Sequence, residues 1–271
     1  MKKTKLNEAN YYSQEMNKQY FSVSQFKDFC KCEAMAMAKI NGTYEQPKSK
    51  ALLLGSLVDE LLTGDKESQD KFFIENKDEL FKKNGEPYAD VAQAFETAAL
   101  IEKQPLMMKY LSGEKQKVMT GEINGVPFKI KMDSYKPGEF IADLKYLKDL
   151  RSPNLFESAI KYWQYDLQMA IYKEIVYQNT GERLPTFLVI GTKEQPSRMA
   201  VCEVKPWNLD YILENAKKML PRFEAVKKQQ IEPERCLVCD HCAATTILTE
   251  PIDSDWLGLS SKQIEALKED S

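Results

Sequence analysis

The run VMTGEINGVPFKIKMDSYKPGEFIADLKYL, residues 118–147, constrains the fold more than any other stretch of the chain. Apolar and polar residues alternate through it with the period of an extended strand, and two turn dipeptides divide it. Asn124-Gly125 supplies the positive-φ pair of a two-residue hairpin, and Pro137-Gly138 supplies a second reversal. Three consecutive antiparallel strands follow. Successive side chains on a strand point to opposite faces. Ile141, Asp143 and Lys145 therefore share one face, and Ala142, Leu144 and Tyr146 the other. Upstream, Phe128, Ile130 and Met132 oppose Lys129, Lys131 and Asp133. The second reversal brings the Asp133 end back beside Asp143, with neighbouring strands ~4.8 Å apart.

Helical patterns flank these strands. Ser22 or Ser24 caps a helix running through FKDFCKCEAMAMAKI, and ALLLGSLVDELLTG predicts a second helix that stops at Gly64. Residues 67–116 read as mostly helical, most clearly at VAQAFETAALI. Ser152 and Pro153 offer a cap and a first-turn proline for a helix that continues to a stop near Gly181. TFLVIGT and RMAVCEV predict two more strands, and Trp207 to Gln230 a long helix. The order implies an α/β fold with a mixed central sheet flanked by helices and with helical elements at the N-terminus. With 271 residues and 43% hydrophobic content, the chain can bury one sizeable core. A single domain is expected over 20–245, after a flexible segment at 1–19 and before a tail at 246–271.

Composition narrows the chemistry. A net charge of −3 gives no general attraction to a polyanion, so nucleic acid would have to meet local basic groups. One histidine, His241, leaves little room for a Ser-His-Asp or Cys-His hydrolase. No run approaches the ~18–20 apolar residues that cross a bilayer, and the first residues lack the apolar core of a signal peptide, so a cytoplasmic protein without membrane contact is expected. No G-x4-G-K-S/T occurs, which argues against an ATPase motor. What is left is carboxylate, lysine and metal. Two carboxylates on neighbouring strands suit Mg²⁺ or Mn²⁺, which take oxygen ligands and keep places for water and phosphate. Lys145 could then orient or deprotonate an attacking water. An isolated D-x-K is more often a simple ion pair; Asp133 across a hairpin and a helix directly after the strand favour the metal reading. Lys129, Lys131, Lys148, Arg151 and Lys161 are candidate phosphate contacts, and Tyr162, Trp163 and Tyr165 could stack on bases or serve as packing.

Asp133 followed by Asp143-Leu144-Lys145 resembles the PD-(D/E)xK nuclease superfamily, and within it the RecB-like and RecE-like phage exonuclease branch. Gln168 and Tyr172 match its QxxxY element; SVSQFKDFCKC, with Ser24, Phe29 and Cys32, resembles its S-x4-(Y/F)-x2-C pattern; GSLVDELL resembles its G-x3-H helix with Asp59 in place of histidine. The resemblance spans residues 20 to 245 and implies a restriction-endonuclease-like core. It implies a Mg²⁺-dependent exonuclease on linear double-stranded DNA in phage-type recombination, working with a strand-annealing protein and possible as a homo-oligomeric ring. Asp133, Asp143 and the Leu144 carbonyl would hold the metal, Lys145 would activate water, Gln168 and Tyr172 would position the strand, and Asp59 would bind or relay to a metal. Cys236, Cys239 and Cys242 form C-x2-C-x2-C, a spacing that suggests metal before disulfide in a cytosolic protein. Relatives of the Cas4-like and AddB-like kind clasp a [4Fe–4S] cluster with one N-terminal and three C-terminal cysteines, which would carry over to Cys32, Cys236, Cys239 and Cys242. Zn²⁺ on the three cysteines with His241 or Cys32 is the alternative, as are plain reduced thiols; Cys202 reads as packing. A Cas4-like single-strand nuclease and a non-catalytic nucleic-acid-binding module stand as the other functions.

Overall fold

A computed structural model of the chain describes residues 6–45, 49–151, 158–247, 251, 254–256, 258–259, 263–264 and 266–267. Among them, eight helices precede the sheet: α1 (Gln14–Gln19), α2 (Val23–Lys31), α3 (Glu33–Asn41), α4 (Lys50–Thr63), α5 (Lys66–Glu75), α6 (Lys77–Leu80), α7 (Ala89–Glu102) and α8 (Pro105–Tyr110). Strands β1 (Glu114–Ile123), β2 (Val126–Lys136) and β3 (Phe140–Leu147) follow, then helices α9 (Ala159–Tyr162) and α10 (Tyr165–Thr180). Strands β4 (Thr186–Thr192) and β5 (Met199–Val204), helices α11 (Pro206–Lys227) and α12 (Asp240–Thr245) and a 3-10 turn (Ser254–Trp256) come next in the order. No helix of the described residues is long and apolar enough to cross a membrane.

The strands form one mixed sheet in the order β1-β2-β3-β4-β5. β2 and β3 are antiparallel, β3 and β4 parallel, β4 and β5 antiparallel. Both expected turns are present, with Asn124, Gly125 and Gly138 at positive φ. The chain falls into two compact units, Met1–Gln46 with Glu122–Lys129 and Glu214–Ser271, and Pro47–Gly121 with Ile130–Leu213.

In the second unit, α4, α7 and α8 bring Leu57, Val58, Ala94, Ile101 and Met107 onto Leu144 of β3 and Val189 of β4. Phe140 to Leu144 are all buried, as befits a strand with neighbours on both sides and cover on both faces. α10 starts after Gln164, whose φ of 54° interrupts what the sequence reads as one helix reaching back to Ser152. Ser158 caps the short α9, while Ser152 and Pro153 lie outside the described residues. The stop at Gly181, in the left-handed region, is as expected.

In the first unit, Ser22 caps α2 as expected, but the helix ends at Cys32. Cys32 is extended (φ −167°, ψ 110°), and its sulfur accepts the Met35 N–H to start α3. One residue thus closes one helix and opens the next. Within the segment expected to be flexible, α1 forms with Met16 fully buried. Lys129, grouped by alternation with Asp133 as a phosphate contact, is buried instead; its ammonium bonds the Tyr11 carbonyl and, at 2.7 Å, Asn17 Oδ1. Beside it Phe21 bridges in parallel to Phe128, and the segment leading to that bridge lays Tyr11 and Asn17 over the Lys129 side chain in place of solvent.

Candidate active site

The β2–β3 ladder pairs Lys136 with Phe140, Tyr135 with Ile141 and Ser134 with Ala142. One residue further, a side chain takes over from the backbone: the Leu144 N–H donates to Asp133 Oδ2 at 2.9 Å. Asp133 and Asp143 thus face each other from neighbouring strands. Asp143 is buried, and each of its oxygens has a partner. Lys145 Nζ donates to Oδ2, and Gln168 Nε2 donates to Oδ1 at 2.8 Å. Gln168 Nε2 also lies 2.9 Å from the Tyr172 hydroxyl, which in turn donates to the Lys131 carbonyl at 2.7 Å. Four residues apart on α10, the two side chains share a face and fasten the helix to β2 and β3. Gln168 orients a carboxylate and Tyr172 anchors a strand.

Asp59 joins this group from α4. It accepts from Thr63 Oγ1 at 2.9 Å and from Gln116 Nε2 at 3.1 Å. The same Gln116 nitrogen reaches Asp133 Oδ1 at 3.5 Å. Gln116 sits in β1 with φ 49°, a backbone state unusual for a residue with a side chain. Neither Gln116 nor its neighbour Lys115 was marked by the sequence pattern. A positive φ inside a strand leaves no signal in residue type, and Gln is unremarkable at a half-exposed strand position.

The charges press on one another. Burial, then repulsion from Asp143 and Asp59, holds the Asp133 carboxyl well above the usual carboxylate range, against the pull of Lys145 and the Leu144 N–H. Burial, with Asp143 adding to it, raises Asp59 as well, although the Thr63 hydroxyl opposes. For Lys145, burial acts downward, but Asp143 and Asp133 more than offset it and the ammonium is held above its ordinary value. Lys115 is shifted down by burial, with Asp59 and Asp133 opposing. Three carboxylates and two ammonium groups are thus gathered where the strands part.

Residues 22–245 match the family described as a PDDEXK-like domain of unknown function (DUF3799). The chain belongs to this PDDEXK-like family. A crystal structure from Eubacterium rectale described as a "Putative exonuclease" is 42% identical, covers 92% of this chain and 97% of that chain, and superposes with a TM-score of 0.87. A second solved structure, of SSO0001, is 15% identical over 78% of this chain and 100% of that chain, at a TM-score of 0.31. No curated protein matches. The five-stranded mixed sheet, flanked by helices and preceded by helical elements, is the restriction-endonuclease-like α/β fold that the sequence leads one to expect, and the membership is that of the PD-(D/E)xK nuclease superfamily.

This PDDEXK-like domain carries a second cluster, in its first unit. The sulfur atoms of Cys32, Cys236, Cys239 and Cys242 all lie within 4.8 Å of one another. Cys32 Sγ is 3.6 Å and Cys236 Sγ 4.0 Å from Cys242 Sγ. Cys239 caps α12 by accepting the Cys242 N–H, and Cys236 Sγ accepts the Cys239 N–H at 3.3 Å. N–H groups aimed at sulfur favour the thiolate. At Cys236, where burial acts upward, the N–H groups of Val238 and Cys239 bring the thiol down to about 7; at Cys32 burial dominates and pushes it up to about 12. Cys32 completes the set and His241 does not, since the imidazole packs instead against Tyr44 with ring centroids 5.2 Å apart. Cys30 is exposed and Cys202 half-buried, both outside the cluster.

Proposed function

We propose that the chain is a metal-dependent deoxyribonuclease, an exonuclease on linear double-stranded DNA. The observation that carries this reading is the convergence of Asp133, Asp143 and Lys145, with Gln168 fixing Asp143. The donor set fits a hard divalent cation: carboxylates kept side by side, with Asp133 and Asp59 held above their ordinary range, are short of positive charge. Asp133, Asp143 and the Leu144 carbonyl would hold Mg²⁺ or Mn²⁺, which supplies charge neutralisation at the scissile phosphate and a lowered pKa for the attacking water. The protein's own groups do the rest. Lys145, kept protonated by the two aspartates, donates to the phosphate or the water and offsets charge growing on phosphorus. Gln168 keeps Asp143 Oδ1 engaged so that Oδ2 stays turned to Lys145. Asp59, linked to Asp133 through Gln116, extends the acidic wall. Action in phage-type recombination beside a strand-annealing protein, and ring assembly, belong to the proposal through the RecE-like motifs.

The four thiols are read as a structural metal site. Sulfur atoms tetrahedrally placed ~2.3 Å from one Zn²⁺ lie ~3.8 Å apart, close to the spacing of Cys32, Cys236 and Cys242. A [4Fe–4S] cluster, which the C-x2-C-x2-C spacing suits, spreads its thiolates around a cube and would go with a Cas4-like single-strand nuclease. Elemental analysis decides: zinc supports the first reading, iron with acid-labile sulfide the second. For the activity, end-labelled linear and closed circular DNA are incubated with Mg²⁺ and the parent or Lys145→Ala protein. Loss of linear DNA alone, abolished in the variant, is expected. Intact DNA of both kinds, with Mg²⁺ and with Mn²⁺, would leave a binding module in place of an enzyme.

A further inference from the structure

Beyond Lys145, at the C-terminal end of β3, the second unit has a cavity of about 700 Å³ lined by Tyr146, Lys148, Arg151, Trp163, Tyr165 and Lys193. The size falls within the range of sites that take small molecules. Besides Ser49, Ala51, Leu52 and Leu147, the lining is three rings and three cations, with Asp149, already paired to Arg151 at 3.7 Å, as the acid among the lining residues. The cavity reaches the candidate active site, because the Tyr165 ring centroid is 5.1 Å from Lys145 Nζ. On its far side Lys193 Nζ lies 5.3 Å from the Tyr146 ring. Trp163 is 47% exposed at the break between α9 and α10, with its edge against Tyr162.

Flat rings beside cations suit a flat, electron-rich group that carries an anion, which is the chemistry of a nucleotide. A base inside a duplex has both faces covered by its neighbours, so only an unstacked base can lie on a protein ring. We infer that this cavity is a subsite for an unpaired nucleotide of the strand under attack, its base stacked on Trp163 and its phosphate met by Lys148 and Lys193. The inference rests on the nuclease reading of the adjoining carboxylates and deepens it: the substrate is an end with an unpaired overhang, or a blunt end whose last pair frays into the cavity.

The test uses the full chain without added metal, so that binding is read apart from cleavage. A short single-stranded oligonucleotide carrying 2-aminopurine, and the blunt duplex of the same sequence, are titrated against the parent, Trp163→Leu, Trp163→Phe and Lys193→Ala. The single strand is expected to bind more tightly than the blunt duplex and to have its 2-aminopurine fluorescence quenched. Trp163→Leu loses the quenching and about tenfold or more in affinity, and Trp163→Phe recovers most of both. Lys193→Ala weakens binding and lowers the salt dependence by about one phosphate contact. Equal affinity of the parent for the two substrates, or Trp163→Leu binding as the parent does, overturns the subsite. Cleavage is followed in parallel with Mg²⁺: cleavage by a parent whose binding ignores Trp163 overturns the subsite alone, whereas Trp163-dependent binding without cleavage supports the subsite and overturns the nuclease reading.

Discussion

Gln116 hydrogen-bonds both Asp59 and Asp133, and its removal separates placement from chemistry. In Gln116→Leu, Asp59 keeps Thr63 but loses the donor it shares with Asp133. Groups that orient metal-binding carboxylates cost ~10–100-fold in metal affinity or activity when lost. The expected outcome is a rise of that order in the Mg²⁺ concentration for half-maximal cleavage, with the melting temperature little changed; an unaltered Mg²⁺ requirement would remove Asp59 and Gln116 from the site. A different residue contributes to the response to pH. Burial, then repulsion from Lys129, pulls Lys227 down to about 7, with Glu224 opposing. The unfolded lysine titrates near 10.4, so between about pH 7 and 10 the unfolded chain binds more protons than the folded one. The contribution of Lys227 to stability therefore rises with pH across that window. Lys129, brought down to about 8 by burial, adds a slope of the same sign. Lys227→Met also strands the Tyr20 carbonyl and Gln25 Oε1, a loss that does not depend on pH. Denaturant melts at pH 7, 8 and 9 should then show a shallower rise in the variant than in the parent; parallel slopes would show that Lys227 is not the group responsible.

Whole elements depend on close approach where the sequence spends its glycines. On β4, a Cβ at Gly191 would lie 3.0 Å from both Ile101 Cδ1 and Thr97 Cγ2 of α7. The bare glycine lets α7 pack onto the strand beside Leu144 and Val189, the layer that backs Asp143. Gly191→Ala should cost ~1–3 kcal/mol in chemical denaturation, as crowded cores do, and Gly191→Val more. An unchanged midpoint for both would mean that α7 shifts freely. The strands were the legible part of the sequence because their turn residues carry the geometry directly: Asn124-Gly125 and Gly138 sit at positive φ as the turns need. Helix interruptions were less so. Cysteine is outside the usual capping set, so nothing in FKDFCKCEAM marks Cys32 as the end of α2 and the cap of α3. Gln164, left-handed between α9 and α10, is equally silent.

At the scale of the molecule, the motif pairs of the D-x-K site were readable because strand alternation and i, i+4 helix spacing convert sequence distance directly into direction; Asp143 with Lys145, and Gln168 with Tyr172, follow from those two periods. Long-range company does not. Asp59 was suspected from a motif alone, and the first unit gathers three separate pieces of chain that no local pattern joins. Its four-thiol cluster closes a long loop, since Cys32 and Cys242 are 210 residues apart in sequence. A cross-link restricts the unfolded chain more as the loop lengthens, and for a loop of this size the entropic gain is about 5 kcal/mol. A metal held by Cys32, Cys236, Cys239 and Cys242 acts as such a link, and its binding free energy adds to folding. Chelation, or Cys32→Ser, should therefore lower the melting temperature and open the segment from Glu234 onward to protease, while Cys202→Ser, outside the cluster, leaves both unchanged. Because Cys32 also starts α3 through the Met35 N–H, serine at position 32 retains a cap, so the loss it shows reports the link and not the helix. Identical melting of the chelated and untreated protein, with metal content confirmed before treatment, would reduce the cluster to four packed thiols.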